Sequence, residues 1–218
     1  MIEQAGSRLG ATAERRVLGA IIAGGASSRF GSPKALAHVG GVRVVDRVAR
    51  ALRSALATAD VVAIINDAQI ARQVALPHRP DAIAGAGALA GVHAALVWAG
   101  ELGFGGVIAA GCDMPFLSAA LLSELLARRG GNDIVIPASD GPRGVEPLCA
   151  FYSTACIAPV EAAIAHGDAR MIGFHDMVDV HRIPIDVVRT FGDPAVMFMN
   201  LNTESDRAAA EQIARETS

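Results

Sequence analysis

The sequence predicts one α/β fold in which a central, mainly parallel sheet is covered by helices on both faces. Short apolar runs rich in Val, Ile and Ala alternate with amphipathic stretches of helical length. Several of these runs stop at Gly, Asn or Asp, as buried strands do where the chain leaves a sheet. Strands that alternate with such helices form β-α-β units with right-handed crossovers, which gives the predicted fold class.

The first strands are predicted from uninterrupted apolar runs. Val17–Ala23 ends at Gly24-Gly25, Val61–Ile65 ends at Asn66-Asp67, and residues 107–110 end at Gly111-Cys112-Asp113. Between the first two runs, apolar residues recur at three- and four-residue steps over residues 44–56, with arginines on the opposite side. This spacing predicts an amphipathic helix.

The second half of the chain carries clearer helix boundaries. Ser118 is a candidate N-cap of a helix with Arg128 and Arg129 in its last turn and Gly130 just beyond. Ser153 is expected to cap a helix that runs to about His166, and Thr203 to open the last helix. Further strands are predicted over residues 133–137, 148–152, 178–185 and 196–201.

Composition excludes several classes of protein. The chain has 218 residues, a net charge of -3 and no basic run, which argues against binding of nucleic acid. Its apolar runs are broken well short of the roughly 18 residues that a membrane span needs. The three cysteines lack a C-x-x-C pair, so a reducing cytoplasm is expected. Residues 1–16 are charged and predict a flexible tail without a secretory signal, followed by a single domain over residues 17–218.

The glycine-rich segment after the first strand is a candidate phosphate cradle. Glycines at the end of a strand let backbone N–H groups approach an anion. Ser27 and Ser28 add hydroxyl donors, and Arg29 and Lys34 add positive charge. The segment matches neither G-x-G-x-x-G nor G-x-x-x-x-G-K-[ST], so a plain turn with solvated charges is the alternative.

Asp113 is a candidate ligand of Mg²⁺. It follows a buried strand, where open α/β sheets place their ligand-facing residues. Mg²⁺ takes one or two protein carboxylates and completes its shell with water and phosphate oxygens, so a lone carboxylate suffices. The alternative is that Asp113 caps the next turn.

Five segments together resemble the nucleotidyltransferases that attach GMP or CMP to molybdopterin. They are I-A-G-G-A-S-S-R-F-G-S-P-K-A-L at 22–36, G-A-L-A-G-V at 87–92, C-D-M-P-F-L at 112–117, E-P-L-C-A-F-Y at 146–152 and N-L-N-T at 200–203. The resemblance implies a Rossmann-like three-layer sandwich of the nucleotide-diphospho-sugar transferase type, with a nucleotide half over 17–116 and an acceptor half over 117–218. It also implies Mg²⁺ as cofactor, GTP and molybdopterin or molybdenum cofactor as substrates, pyrophosphate as product, and molybdoenzymes or cofactor-insertion proteins as possible partners.

The resemblance also assigns roles to residues, which we treat as expectations. Arg29 and Lys34 would bind the phosphates, Asp113 the metal, and Asn200 and Asn202 would lie near metal and acceptor. The nucleotide would be bound by Ala23, Gly24, Gly25, Ser27, Ser28, Lys34, Asn66, Asp81, Gly87 and Gly91. The charged run 140–146 is a turn by composition, and its place before the E-P-L-C-A-F-Y segment makes it a candidate acceptor-facing loop.

The segments that bear on the base of the nucleotide substrate differ in which base they indicate. Pro33 before Lys34 is similar to the cytidylyl branch, whereas Ala23-Gly24-Gly25 and Cys112-Asp113 are similar to the guanylyl branch. Because the glycine pair leaves room for a purine edge beside the backbone, we expect GTP to be preferred over CTP. The alternatives are a cytidylyltransferase on the same cofactor, a transferase with another phosphorylated acceptor, and a nucleotide-binding domain without catalysis.

Overall fold

The fold is given by a computed structural model that describes residues 16–23 and 34–217. Of the tail expected over residues 1–16, only Arg16 lies in this part, and its guanidinium binds the Asp60 carboxylate at 2.7 Å. The strands are β1 Val17–Ala23, β2 His38–Val39, β3 Val42–Arg43, β4 Val61–Ile65, β5 His78–Arg79, β6 Gly106–Gly111, β7 Ile134–Pro137, β8 Cys149–Ser153 and β9 Val180–Ile183.

Helices occupy most of the connections. They are α1 Val44–Leu56, α2 Ala68–Ala71, α3 Gly87–Glu101, α4 Ala119–Ala127, α5 Ile157–Ala165, α6 Ile185–Arg189, α7 Pro194–Met197 and α8 Glu204–Glu216. Short 3₁₀ turns lie at Lys34–Leu36, Thr154–Cys156 and His175–Met177.

Seven strands form one sheet in the order β5-β4-β1-β6-β8-β7-β9, and β2 and β3 form a separate hairpin. All neighbours in the large sheet are parallel except β8, which is antiparallel to both β6 and β7. The chain passes from β7 to β8 without a crossover helix, and such a connection returns the chain in the opposite direction. The prediction of a mainly parallel sheet is confirmed.

Helices cover both faces of the sheet, as predicted. Alternate residues of β1 enter different cores: Ile21 packs with α1 and α4, whereas Leu18 and Ile22 pack with α3 and α5. All strand positions of β4 and β6 are buried, as expected for strands covered on both sides.

Several helix ends follow the local signals in the sequence. Ser118 accepts a hydrogen bond from Leu121 N, and Thr203 forms a capping box with Asp206 at the start of α8. Ser153 caps the 3₁₀ turn that leads into α5, and the chain leaves that helix through Gly167 at a φ of 80°. The helix α4 ends earlier than predicted, at Ala127, so Arg128 and Arg129 lie beyond it.

The predicted strand over residues 196–201 is wrong. Asp193 accepts a hydrogen bond from Ala195 N and Pro194 occupies the first helical position, so the apolar run begins as the short helix α7. Residues 198–201 form no strand. The strand predicted over 178–185 is shorter, since Pro184 ends it and α6 begins at Ile185.

Candidate functional site

The candidate site lies at the carboxyl ends of β1 and β6. These strands are parallel neighbours with Ile22 opposite Gly111, and the Cys112 N–H donates to the Ile22 carbonyl at 3.2 Å. From β1 the chain continues to β4 on one side, and β6 lies on the other side. Such a reversal of strand order opens a crevice at the carboxyl edge, which is the usual ligand site of open α/β sheets.

Asp113 lies in the turn that follows β6. A Cβ at Gly111 would lie 3.0 Å from Asp113 Oδ1, so the glycine leaves room for this carboxylate. The Asp113 carbonyl accepts a hydrogen bond from Leu201 N at 3.0 Å. This bond brings the segment with Asn200 and Asn202, which lies almost ninety residues further along the chain, against the end of β6.

The two asparagines are held differently. Asn200 is half-buried and donates through Nδ2 to the Phe198 carbonyl at 3.1 Å, which orients its amide. Asn202 is exposed, and its backbone N–H donates to the Asp206 carboxylate at 2.8 Å. Through Leu201, the structure brings the segment with Asn200 and Asn202 to the turn of Asp113, and the roles of the two side chains stay predictions.

Asn66 and Asp81 form a second polar feature at the same edge of the sheet. Asn66 Nδ2 donates to Asp81 Oδ2 at 2.7 Å, and Asp81 N donates to Asn66 Oδ1 at 2.9 Å. The reciprocal pair joins the segments that follow β4 and β5. The two residues that were expected to flank the nucleotide thus lie in contact.

The two glycines of the G-A-L-A-G-V segment have different surroundings. Gly87 opens α3 at a φ of 55°, which favours glycine, and no atom of the described residues lies within 4 Å of an added Cβ. Gly91 is buried, and an added Cβ would lie 2.6 Å from Ile22 Cγ2. Gly91 therefore allows α3 to approach β1, and a contact of Gly91 with the nucleotide stays a prediction.

Part of the candidate cradle lies outside the described residues. This applies to Gly24, Gly25, Ser27, Ser28 and Arg29. Ala23 is the last residue of β1 and pairs with Ile65 of β4, and Lys34 begins a 3₁₀ turn whose next residue, Ala35, is buried. The end of β1 therefore leads into the crevice between β1 and β6.

Glu146 is a further candidate site residue that was not among those predicted from the sequence. Its backbone N–H donates to the Pro137 carbonyl at 3.0 Å, and its Oε1 accepts a long bond of 3.3 Å from Leu148 N. Burial raises the pKa of the Glu146 carboxyl, and the negative charge of Asp113 raises it further, while the Leu148 N–H and Arg143 lower it. The sequence does show that an acidic residue begins the E-P-L-C-A-F-Y segment. Hydrophobic periodicity, however, does not tell whether the side chain of such a residue faces a cavity or the solvent.

A cavity of about 380 Å³ opens beside Glu146. It lies between the loop of residues 139–146 and α7, with Asn200 at its border. Polar groups come from Ser139, Asp140, Arg143, Glu146 and Asn200, and apolar surface from Pro142, Pro194, Ala195 and Phe198. The loop that was a candidate for facing the acceptor thus lines a cavity next to Asn200.

The residues around Asp113 could hold Mg²⁺, and binding of this ion stays a prediction. In the part of the chain that the structure describes, no group of three or more His, Cys, Asp or Glu side chains could hold a metal ion. Mg²⁺ needs no such group, since one carboxylate with amide, water and phosphate oxygens completes its shell. Asp113, with Asn200 and Asn202 nearby, fits this requirement.

Across residues 16–23 and 34–217, no helix has both the length and the apolar character that crossing a membrane requires.

Comparisons with known proteins agree with this geometry. The family model described as the MobA-like NTP transferase domain matches residues 19–180. A protein of Pelotomaculum thermopropionicum named "Probable molybdenum cofactor guanylyltransferase" is 33% identical over 196 residues, which cover 90% of this chain and 92% of that protein.

Solved structures support the same fold. Molybdopterin-guanine dinucleotide biosynthesis protein A from Archaeoglobus fulgidus superposes with a TM-score of 0.76 at 26% identity, over 92% of this chain and 100% of that chain. The 2-C-methyl-D-erythritol 4-phosphate cytidylyltransferase of Thermus thermophilus, 19% identical with a TM-score of 0.65 over 92% of this chain and 99% of that chain, shares the fold. The predicted sandwich of the nucleotide-diphospho-sugar transferase type is confirmed. The family model spans most of the chain and contains both the carboxyl end of β1 and Asp113, so this protein belongs to the MobA-like NTP transferase family.

Proposed function

We propose that this protein transfers GMP from GTP to the phosphate of molybdopterin or molybdenum cofactor and releases pyrophosphate. The observation that carries the proposal is the hydrogen bond from Leu201 N to the Asp113 carbonyl. It joins the end of β6, where the nucleotide phosphates are expected, to the Asn200–Asn202 segment and the cavity beside it. The names of the relatives from Pelotomaculum thermopropionicum and Archaeoglobus fulgidus support guanine as base and molybdopterin as acceptor.

The reaction needs positioning more than proton transfer. An oxygen of the acceptor phosphate forms a bond to the α-phosphorus of GTP, and the bond from that phosphorus to the β-phosphate bridging oxygen breaks with its electron pair leaving on pyrophosphate. The attacking phosphate is already ionised, so no strong base is required. This agrees with a site built from Asp113, asparagines and cations.

Each group has a proposed task. Arg29 and Lys34 bind the triphosphate and stabilise the charge that develops on pyrophosphate. Asn66 and Asp81 flank the nucleotide through their fixed pair. Mg²⁺, when bound at Asp113 near Asn200 and Asn202, supplies neutralisation and orientation of the phosphate oxygens. Delivery of the product to a molybdoenzyme or insertion protein, and a cytoplasmic location, stay predictions.

The test is pyrophosphate release with molybdopterin, Mg²⁺ and each nucleotide in turn. We expect kcat/KM for GTP to exceed that for CTP by more than about tenfold, because a site that hydrogen-bonds the base edge discriminates better than shape alone. Equal values, or a preference for CTP, would overturn the guanylyl assignment and leave a nucleotidyltransferase. Nucleotide binding without pyrophosphate release from any nucleotide would favour a domain that binds but does not catalyse.

A further inference from the structure

The position of Glu146 is fixed by bonds from three strands. Its backbone N–H donates to the carbonyl of Pro137, the last residue of β7, at 3.0 Å, and its carbonyl accepts from Cys149 N of β8 at 3.1 Å. The carbonyl of the following residue, Pro147, accepts a hydrogen bond of 2.9 Å from the hydroxyl of Tyr152, which is fully buried in β8. The next carbonyl, of Leu148, accepts from Gly111 N of β6 at 2.9 Å. Because these bonds fix the backbone, the Glu146 side chain starts from a defined position, unlike a side chain on a loop without such bonds.

The side chain of Glu146 lines the cavity of about 380 Å³. This volume is within the range of roughly 300–1,000 Å³ that small-molecule sites occupy. Phe198 gives the cavity an aromatic wall, and Pro142 and Pro194 give it rigid apolar surface. A flat heterocycle suits such walls, because it buries apolar area and keeps its polar groups at its edge.

The cavity is lined by two acids, of which Glu146 is half-buried and Asp140 exposed. Among the described residues, the Glu146 carboxylate accepts one hydrogen bond. The bond from Leu148 N to Oε1 is long, at 3.3 Å. A carboxylate that loses water by burial gains most from a ligand that offers two parallel N–H donors, since bidentate, charge-assisted pairs are the strongest that a carboxylate makes. The 2-amino-4-oxopyrimidine ring of a pterin has such an edge, made of its amino group and the adjacent ring N–H.

A metal-binding role for Glu146 is the competing explanation, because Asp113 is close enough for its charge to affect the Glu146 carboxyl. Among the described residues, however, those that line the cavity include Glu146 and Asn200 but not Asp113. The Glu146 side chain therefore borders a space that the Asp113 side chain does not line.

We propose that the carboxylate of Glu146 binds the amino and ring N–H donors of the acceptor's pterin, and so selects a 2-amino-4-oxopteridine as the substrate that presents its phosphate to the nucleotide. This inference rests on the proposed function. Phe198 packs against the ring. Asn200 also lines the cavity, and its neighbour in the chain, Leu201, bonds to the Asp113 carbonyl.

The first experiment measures binding without turnover. Pterin and lumazine differ in that lumazine carries an oxo group in place of the 2-amino group, so they are matched ligands. Titrations by ligand fluorescence, without GTP, should show wild-type protein binding pterin at least about tenfold more tightly than lumazine, because lumazine places an acceptor against the carboxylate. In the variant E146Q the side-chain amide offers both a hydrogen-bond donor and an acceptor, so the preference for pterin over lumazine should vanish or reverse. The control E124Q changes a carboxylate that pairs with Arg128 and does not line the cavity, so this variant should keep the preference for pterin.

The second experiment measures turnover with molybdopterin. E146Q should raise the KM for molybdopterin by about tenfold or more, while the KM for GTP, the Mg²⁺ dependence and kcat at saturating acceptor change little. Equal binding of pterin and lumazine to the wild-type protein overturns the inference, as does an E146Q variant that keeps the preference. An increased Mg²⁺ requirement with unchanged pterin preference would assign Glu146 to the metal instead.

These outcomes separate the inference from the proposed function. If the wild-type protein transfers GMP but shows no pterin preference, only the role of Glu146 fails. If pterin binds selectively and no pyrophosphate is released, only the proposed reaction fails. If E146Q does not fold, as judged by circular dichroism, the wild-type comparison of pterin and lumazine and the variant E146D, which retracts the carboxylate by one methylene, still decide.

Discussion

At the scale of single residues, Asp113 is the carboxylate on which the proposed chemistry depends. Its backbone is fixed by Leu201, so replacement of the side chain by a neutral amide should leave the turn in place. We expect Asp113→Asn to lower pyrophosphate release by about 10²–10³-fold or more, because a charge that holds the metal is lost. Thermal unfolding of the variant checks that the fold is intact.

The control for this prediction is Asp186→Asn, which removes an exposed carboxylate that pairs with Arg189 on α6. It should retain wild-type activity. Near-normal turnover by Asp113→Asn would remove this residue from the mechanism.

His175 predicts a pH-dependent stability. It is 8% exposed, and among the described residues neither ring nitrogen has a hydrogen-bond partner. Burial lowers the pKa of the His175 imidazole below its ordinary 6.5, and the charge of Arg182 lowers it further, while Asp176 acts in the opposite direction. The unfolded chain therefore binds a proton at a pH where the folded protein does not.

The sign of the effect follows from this difference. The stability that neutral His175 contributes is present above pH 6.5 and decreases as the pH falls towards the lowered pKa of the folded state. Urea unfolding at about pH 8 and about pH 5 should show a smaller loss of unfolding free energy for His175→Phe than for the wild-type protein. The variant His38→Gln, which removes an exposed histidine of β2, should behave as the wild-type protein does. Equal pH dependence of wild-type protein and His175→Phe would contradict the prediction.

At the scale of elements, the packing of α3 on β1 depends on Gly91. An added methyl group would lie 2.6 Å from Ile22 Cγ2 in a fully packed core, so Gly91→Ala should cost about 1–3 kcal/mol of unfolding free energy. The same helix provides a matched control. Within residues 16–23 and 34–217, no atom lies within 4 Å of a Cβ added at Gly100, so Gly100→Ala should stabilise the protein by roughly 0.5–1 kcal/mol.

Denaturant unfolding of the two variants gives the comparison, and Ile22→Ala adds a further test. Combined with Gly91→Ala, it removes the methyl group that clashes, so the double variant should be more stable than the sum of the single effects predicts. Purely additive effects would show that the contact between Gly91 and Ile22 does not limit how closely α3 packs.

At the scale of the whole molecule, one sheet crosses the boundary between the two predicted halves. β6 lies before residue 117 and β8 after it, yet they are neighbours, and β8 separates β6 from β7. The two halves cannot separate without breaking the hydrogen bonds between β6 and β8. We therefore expect a single cooperative unfolding transition.

The chain offers reporters in both halves. Trp98 is the single tryptophan and lies in α3, and Cys149 and Cys156 are buried thiols of the second half. Tryptophan fluorescence and reactivity of these thiols should report the same denaturant midpoint, with Cys112, which is partly buried, replaced by Ser. Separate midpoints would show that the halves unfold independently.

The sequence determined those features that depend on neighbours along the chain. β1, β4 and α1 follow from uninterrupted or periodic apolar residues, and the caps at Ser118 and Thr203 from side chains that bind backbone N–H groups three residues away. Asp113 could be located because the end of a buried strand is itself a local pattern. The error at residues 196–201 is of the same kind, since the apolar run predicts a strand while the cap at Asp193 and Pro194 begins a helix.

The tertiary structure alone decided what depends on distant residues. No periodicity places β8 antiparallel between β6 and β7, joins Leu201 to Asp113, or pairs Asn66 with Asp81. Glu146 shows the consequence for function, since its burial and its position at a cavity arise from strands and a helix that are far apart in the chain. The sequence thus determined which chemical groups the protein has and which turns carry them. The positions of these groups relative to one another were decided by the sheet. Strand order and the burial of a carboxylate depend on contacts between distant residues, and these contacts form only when the whole chain folds.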